Sequence, residues 1–128
     1  DTSSKKQSSE ITSQNWVNYG NTVLSHKCYS FSCKRDGYIL VIDDDDFSKV
    51  KANYDRESRK LTIINKKNKS NVFEIVTLIN SNYSVNDPKY KDYTMIMKNS
   101  GFVYLAKVNK SSDIDINIQT LKDMIKVY

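Results

Sequence analysis

The sequence predicts an α+β fold: a mainly antiparallel β-sheet of about six or seven strands, arranged as a sandwich or a barrel, with a C-terminal amphipathic helix. Short apolar or alternating runs recur between clusters of Asn, Asp and Ser. Such spacing is typical of strands joined by turns. The last fifteen residues instead place apolar side chains at steps of three and four, which is the spacing of one face of a helix.

Six segments carry the strand pattern. Some are continuous apolar runs, which indicate strands buried on both faces, and others alternate, which indicates one face in water. They are residues 38–42, 50–54, 61–64, 72–79, 93–97 and 102–108.

Turns divide these strands into hairpins. Residues 48–67 form one predicted hairpin around a polar turn at residues 55–60. A second hairpin turns at residues 98–101, where Gly101 is expected to supply a positive φ. Between the two lies a polar connection, residues 80–92, which is long enough to carry function or simply to be mobile.

The two ends of the domain favour helices. In residues 11–24 the spacing of Trp16, Tyr19 and Val23 favours a short helix over an irregular extended segment. Near the C-terminus, residues 111–113 are candidate N-caps, although the alternation over residues 113–118 also permits a strand at the start. The apolar face of this predicted helix covers the sheet and consists of Ile114, Ile118, Leu121, Ile125 and Tyr128.

The N-terminal ten residues differ in composition from the rest. Residues 1–10 are rich in Ser and Lys and contain no aliphatic or aromatic side chain, so we expect a flexible tether ahead of one domain at residues 11–128. This start resembles the mature end of an exported bacterial lipoprotein. An ordinary flexible terminus is the alternative.

The two cysteines suggest a disulfide. Cys28 and Cys33 can pair if the chain turns between them, since two cysteines five residues apart on a straight strand point to opposite faces. Two independent buried thiols are the alternative. His26 and Asp36 offer further zinc ligands, but the spacing does not match structural zinc sites, and no metal or other cofactor is predicted.

A run of four carboxylates, the acidic run, is formed by Asp43, Asp44, Asp45 and Asp46. It lacks the central Gly and distal Glu of an EF-hand loop. A contiguous run also gives its carboxylates similar environments, whereas paired-carboxylate hydrolysis needs their pKa values pushed apart. A solvated turn or a docking surface for a basic partner therefore explains the run better than a metal site or catalysis.

The net charge of +5 comes mostly from lysine, and only three of the twenty basic residues are Arg. Lys is a hydrated point charge, whereas Arg is the usual reader of phosphates and bases. Lys66, Lys67 and Lys69, with Tyr54 and Phe73 as stacking platforms, would be the surface for single-stranded nucleic acid. No nucleic-acid motif accompanies them, so this is the second hypothesis.

The first hypothesis is a non-catalytic domain that binds another protein, such as an assembly component, an inhibitor or an immunity protein. Loops on a rigid sheet commonly carry binding residues, so we expect the partner-binding residues to be the acidic run together with Tyr83 and Tyr90 of the 80–92 connection. The resemblance to a lipoprotein implies a location in the periplasm or on the cell surface, with membrane contact only through a lipid tether; a cytoplasmic location is the alternative.

Overall fold

The computed structural model describes residues 16–20, 28–84, 86–110 and 114–128, and for residues 16–20 and 82 it describes the backbone alone. Nine strands and two α-helices lie in these ranges. In chain order the elements are β1 (Trp16–Gly20), β2 (Cys28–Cys33), β3 (Tyr38–Asp43), α1 (Asp44–Phe47), β4 (Val50–Asp55), β5 (Lys60–Asn65), β6 (Asn71–Ile79), two 3₁₀ turns (Asn80–Asn82 and Pro88–Tyr90), β7 (Thr94–Lys98), β8 (Phe102–Val108), α2 (Ile118–Met124) and β9 (Ile125–Val127).

The strands form two sheets. The first has the order β1-β2-β3-β9, and the second has the order β4-β5-β6-β8-β7. Every neighbouring pair is antiparallel. The predicted α+β, sheet-rich class is therefore confirmed, and of the two predicted arrangements the sheets form a sandwich.

One hydrophobic core fills the space between the sheets. Strand β4 shows how it forms, because Val50, Ala52 and Tyr54 are buried while the residues between them are exposed, as the period of two requires. Phe31 and Leu40 of the first sheet join the same core.

The two predicted hairpins are present as β4–β5 and β7–β8, but the second turn is not built as expected. Gly101 does not adopt a positive φ. Instead, Asn99 Oδ1 accepts hydrogen bonds from the backbone N–H groups of Gly101 and Phe102, at 2.9 and 2.8 Å. An Asn side chain that bonds its own turn in this way removes the need for glycine.

A further hairpin joins β2 to β3 and was not predicted. Its turn ends at Gly37, which has a φ of 76° and donates its N–H to the carbonyl of Cys33 at 2.8 Å. A Cβ at this position would lie 3.3 Å from the hydroxyl of Tyr104. Glycine is therefore required both by the backbone conformation and by the close approach of the second sheet.

The prediction of a helix over residues 11–24 is wrong where it can be compared with the structure. Residues 16–20 form β1, which pairs with β2. Pairing across a sheet overrode the weak helical spacing, and Gly20 is a poor helix residue. The rest of that segment, and the tether at residues 1–10, lie outside the described residues.

The predicted C-terminal helix is confirmed in part. Helix α2 spans Ile118–Met124, and Asn117 caps it by accepting a hydrogen bond from the Thr120 N–H; the candidate caps at residues 111–113 lie outside the described residues. Ile125 begins strand β9, which pairs with β3, so the final turn of the predicted helix is a sheet edge instead. In the described ranges, no helix is long and apolar enough to cross a membrane.

Strands β6 and β7 both pair antiparallel with β8, which lies between them. They therefore run in the same direction, and residues 80–93 must return along the sheet to join them. Because the inner face of this sheet faces the core, the connection lies on the outer face. We call this segment the crossover.

Candidate functional site

An extensive polar cluster lies at one end of the core and is centred on Asp36, in the β2–β3 turn. This carboxylate is 0% exposed. Its Oδ2 accepts a 2.6 Å hydrogen bond from the Tyr54 hydroxyl, and its Oδ1 forms a 2.9 Å salt bridge with Arg59. A buried carboxylate is tolerated only when it is paired and hydrogen-bonded, and both conditions are met here.

The cluster joins the two sheets. Tyr104, on β8, donates its hydroxyl proton to the backbone carbonyl of Asp36 and accepts a 2.8 Å hydrogen bond from Asn99 Nδ2. Arg35 donates to the Tyr54 hydroxyl at 3.1 Å. Three hairpin turns from different parts of the chain are thereby held at one end of the sandwich.

Burial keeps the thiol and the phenol groups of this cluster protonated. Burial, reinforced by the negative charge of Asp36, raises the pKa of the Cys33 thiol to about 12. Burial also raises the pKa of Tyr104 to about 12 and that of Tyr54 well above its usual value. A protonated thiol is a poor nucleophile, so these groups act as hydrogen-bond donors that hold the fold together.

The disulfide prediction is wrong, because Cys28 and Cys33 are not bonded to each other. They lie at opposite ends of the regular strand β2, paired with Asp43 and Tyr38 respectively. Five residues along a strand place side chains on opposite faces. The two thiols point away from each other, so they cannot bind the same zinc ion. Asp36 is already bonded to Tyr54 and Arg59.

No group of three or more His, Cys, Asp or Glu side chains that could hold a metal occurs within the residues described by the structure. His26, the remaining zinc candidate of the sequence, lies outside them.

The acidic run has a local structural role. Asp43 is the N-cap of α1, and its Oδ1 accepts hydrogen bonds from the N–H groups of Asp45 and Asp46 at 2.7 and 3.2 Å. Asp44, Asp45 and Asp46 form the first turn, where carboxylates interact favourably with the positive end of the helix dipole. The N-cap and the first turn of α1 therefore account for all four consecutive Asp residues.

The carboxylates of this turn lie close together and repel one another. Burial, together with the neighbouring Asp43 and Asp45 and the more distant Asp115, raises the pKa of Asp46. Lys49 partly offsets this effect. The turn thus carries a basic side chain beside its acidic ones.

The surface proposed for single-stranded nucleic acid lacks its stacking platforms. Tyr54 and Phe73 are completely enclosed in the core, so neither ring can stack on a base. Lys66, Lys67 and Lys69 are exposed in the β5–β6 turn. The structure leaves a basic turn where the sequence suggested a stacking surface.

The crossover is anchored at both ends. At its start, the Asn80 N–H donates to the carbonyl of Gly101 at 3.0 Å. At its end, the Tyr93 hydroxyl donates to the Glu74 carboxylate on β6, and Asn71 Nδ2 donates to the same carboxylate at 3.0 Å. The segment is therefore held against the outer face of the second sheet.

Electrostatics strengthen the second anchor. Burial alone would raise the pKa of Glu74, but hydrogen bonds from Tyr93 and Asn71 and the charges of Lys60 and Lys107 outweigh it and lower that pKa. Lys60 Nζ lies 3.6 Å from the Glu74 carboxylate. Glu74 is consequently ionised at neutral pH and holds Tyr93 firmly.

Apolar and aromatic side chains are concentrated along the crossover. Tyr90 packs edge-to-face on Tyr93, with ring centroids 5.8 Å apart, and both Tyr90 and Tyr83 are half-buried. Ile79, just before the crossover, is 45% exposed, and Met95, just after it, is 44% exposed. We call Ile79, Tyr83, Tyr90 and Met95 the crossover surface; Met95 lies beside Leu105 on the outer face of the sheet, and Ile79 lies beside Phe102 at the rim where β6 ends.

The structure separates the sequence-predicted binding residues into two places. The acidic run joins β3 to β4 at one edge of the second sheet, whereas Tyr83 and Tyr90 lie on the segment leading from β6 to β7 at the other edge. Ile79 and Met95 were not predicted as binding residues, because each lies in an apolar strand pattern that gives no sign of exposure.

The structural role of Glu74 was not predicted either. A lone Glu inside the apolar run of β6 was the available signal, since a buried acid needs a partner. Comparisons with protein-family models, curated proteins and solved structures find no match to this chain.

Proposed function

We propose that this chain is a non-catalytic protein-binding domain that contacts its partner through the crossover surface. The observation that carries the proposal is the position of exposed apolar side chains. In the described part of the chain, four large hydrophobic residues are exposed, and two of them, Ile79 and Met95, flank the crossover. Three half-buried tyrosines lie between them in sequence: Tyr83, Tyr90 and the anchor Tyr93.

The chemistry of this surface suits protein recognition. Tyrosine is enriched among residues that dominate binding energy, because its large ring contributes contact area at low conformational cost. The Glu74–Tyr93 anchor fixes the backbone beneath the surface, so little ordering is required upon binding. An anchored loop on a sheet is a common location for such sites.

The acidic run is not needed for this proposal. Its carboxylates are explained by the capping of α1, and it lies away from the crossover in the strand order. Long-range attraction to a basic partner is the contribution that it could add, mainly to the rate of encounter.

The proposal is tested by pull-down from an envelope extract of the source organism. The crossover variant carries Ile79→Ser, Tyr83→Ser, Tyr90→Ser and Met95→Ser. We expect it to lose the proteins that the natural chain retains, because it removes the exposed apolar contacts. Its unfolding midpoint is measured in parallel, so that loss of binding is not confused with loss of fold.

A matched control uses the other two exposed hydrophobics. Val127→Ser and Tyr128→Ser remove exposed apolar side chains from the β9 edge of the first sheet and should leave retention unchanged. A third variant, Asp44→Asn with Asp45→Asn, tests the acidic run while keeping the Asp43 cap. Equal retention by the crossover variant, or loss only in the acidic variant, would refute the proposed surface.

Nucleic-acid binding is the alternative, and it makes opposite demands. It requires micromolar binding of single-stranded DNA that weakens steeply with salt and depends on Lys66, Lys67 and Lys69. A titration with single-stranded DNA therefore accompanies the pull-down. Salt-sensitive DNA binding with no retained protein would favour this alternative.

We further propose that the domain is exported and attached to the envelope by a lipid tether that precedes its Ser/Lys-rich start. Fractionation of cells that express the full gene tests this location. Protein in the membrane fraction, labelled by a fatty acid analogue, is the expected result. Recovery in the cytosol without label would refute it.

A further inference from the structure

A pocket of about 510 Å³ opens beside the basic turn, away from the crossover surface. Ser48 and Lys49 line it from the turn that follows α1, and Asn65, Lys66 and Lys67 line it from the β5–β6 turn. The two turns are joined by a 2.9 Å hydrogen bond from the Lys66 N–H to the Lys49 carbonyl. Because β4 and β5 are paired along their length, the sheet fixes the two walls relative to each other.

The lining is strongly basic. Three of the five lining residues are lysines, each of which ends in a compact, cationic ammonium group. Concave sites lined by charge of one sign concentrate counter-ions more than flat surfaces do. Ser48 adds a side-chain hydroxyl that can donate to an anion.

Asn65 provides a second, independent observation. Its side chain is 1% exposed, and its Oδ1 accepts hydrogen bonds from the N–H groups of Lys67 and Asn68, at 2.8 and 3.4 Å. These bonds fix the orientation of the amide. Its Nδ2 has no hydrogen-bond partner within the residues that the structure describes.

A buried donor without an acceptor destabilises a protein by about 1–3 kcal/mol. This donor is itself closed to solvent, so an anion meets it only when the β5–β6 turn opens slightly around the ligand, while the three lysines supply the opposite charge. Both features of the pocket thus favour the same kind of ligand.

We propose that this pocket binds a phosphate-class oxyanion: inorganic phosphate or the phosphate group of a small phosphomonoester. Pockets of this size hold small molecules, and a phosphate dianion has enough oxygens to meet several donors at once. The site does not depend on the proposed protein-binding function, since it lies at the β4–β5 end of the sheet. Either proposal can therefore fail without the other.

The test is a titration followed by two-dimensional NMR of backbone amides at low ionic strength. The probes are inorganic phosphate, glycerol phosphate, and acetate as a monoanion. We expect saturable shifts centred on residues 48–49 and 65–67, with a Kd on the order of 0.1 mM for the two phosphates. Acetate should bind more weakly, because it carries a single charge.

Four substitutions test whether binding depends on the residues that line the pocket. Lys66→Gln and Lys67→Gln should each weaken phosphate binding about tenfold, because each removes a charge within a few ångströms of the ligand. Asn65→Asp keeps the Oδ1 acceptor and replaces the donor by a charged oxygen, so it should abolish binding. Asp46→Asn should tighten it, since the Asp46 carboxylate interacts with Lys49.

Lys98→Gln is the matched control. Lys98 is exposed on β7, at the opposite edge of the same sheet, and its substitution makes the same charge change. It should alter the Kd less than twofold.

Shifts that do not saturate, or an equal effect of Lys98→Gln and Lys66→Gln, would show only diffuse attraction and overturn the site. A folded Asn65→Asp variant with unchanged affinity would also overturn it. An oligothymidine arm distinguishes the source of the phosphate: micromolar binding with a steep salt dependence, combined with no saturable glycerol phosphate binding, would overturn the small-molecule assignment.

Discussion

Substitution of Asp36 by Asn gives a direct test of the clamp between the two sheets. The change preserves the shape of the side chain and removes its charge. One oxygen can still accept a hydrogen bond, but the other becomes an NH₂ group that faces a donor, either the Tyr54 hydroxyl or the Arg59 guanidinium. The completely buried position leaves no water to replace the lost interaction.

The size of the effect follows from these contacts. A hydrogen bond to a charged group contributes about 1.5–3 kcal/mol, and breaking a fully buried ion pair costs about 3–5 kcal/mol. The Arg59 side chain is 25% exposed, so water stabilises part of its charge and the second figure is an upper bound. We therefore expect Asp36→Asn to lower the free energy of unfolding by about 2–4 kcal/mol.

Urea denaturation followed by tyrosine and tryptophan fluorescence measures this change. For a domain of this size, the expected loss lowers the midpoint by about 2 M. Asp123→Asn, which removes the same charge from an exposed position on α2, is the control and should change stability by less than about 0.5 kcal/mol. A loss below about 1 kcal/mol for Asp36→Asn would show that the cluster does not hold the sheets together.

Four further residues and one titration extend this reasoning. Leu121→Ala should destabilise the domain by about 2–4 kcal/mol in the same assay, because Leu121 is buried in the core; an unchanged midpoint would place it outside the core. Asp43→Ala should cost about 1 kcal/mol through loss of the cap, and no loss would reopen a binding role for the acidic run. Mass spectrometry after alkylation of unreduced, denatured protein should show two labels, on Cys28 and Cys33, and no label would establish a disulfide. Because the pKa of Glu74 is lowered in the folded state, its stabilising effect is present above the unfolded pKa of about 4.5 and is lost as the pH falls through the folded value. The stability gap between the natural protein and Glu74→Gln should thus narrow on acidification from about pH 6 to pH 3, and a constant gap would contradict the Glu74–Tyr93 anchor.

Local patterns predicted the second sheet well, because the sequence of each strand shows by itself which of its faces are buried. The alternation in residues 50–54 and the apolar run at residues 72–79 each specify burial without reference to any partner. Their predicted positions agree with β4 and β6 to within one residue. Neighbouring hairpins then follow from short polar turns.

The first sheet was harder to predict, because long-range pairing decides it. Residues 28–33 alternate small polar with larger side chains and contain both cysteines, which suggested a pinched loop rather than β2. Ile125 continued the helical spacing of α2, yet it pairs with Leu40 at a sheet edge. In both places, backbone pairing with a distant strand outweighed local preference.

Polar clusters were the least predictable part of the site. Asp36 and Tyr54 are eighteen residues apart, and Tyr104 is sixty-eight residues from Asp36, so no local spacing brings them together. The crossover surface was only half anticipated for a related reason. Tyr83 and Tyr90 were predicted as binding residues because they are aromatic residues in an otherwise polar connection. The exposure of Ile79 and Met95 depends instead on where the sheet ends.

The two buried carboxylates have different consequences for binding. Asp36 fixes the sheets relative to each other at one end of the core, so changes there should act on the whole fold. Glu74 fixes only the end of the crossover through Tyr93, and Tyr93 in turn supports the ring of Tyr90. A loop held in its binding conformation by an interaction outside the contact surface loses little entropy when a partner docks. In the proposed function, Glu74 and Tyr93 would therefore influence affinity as positioning residues, while the crossover surface would make the contact itself.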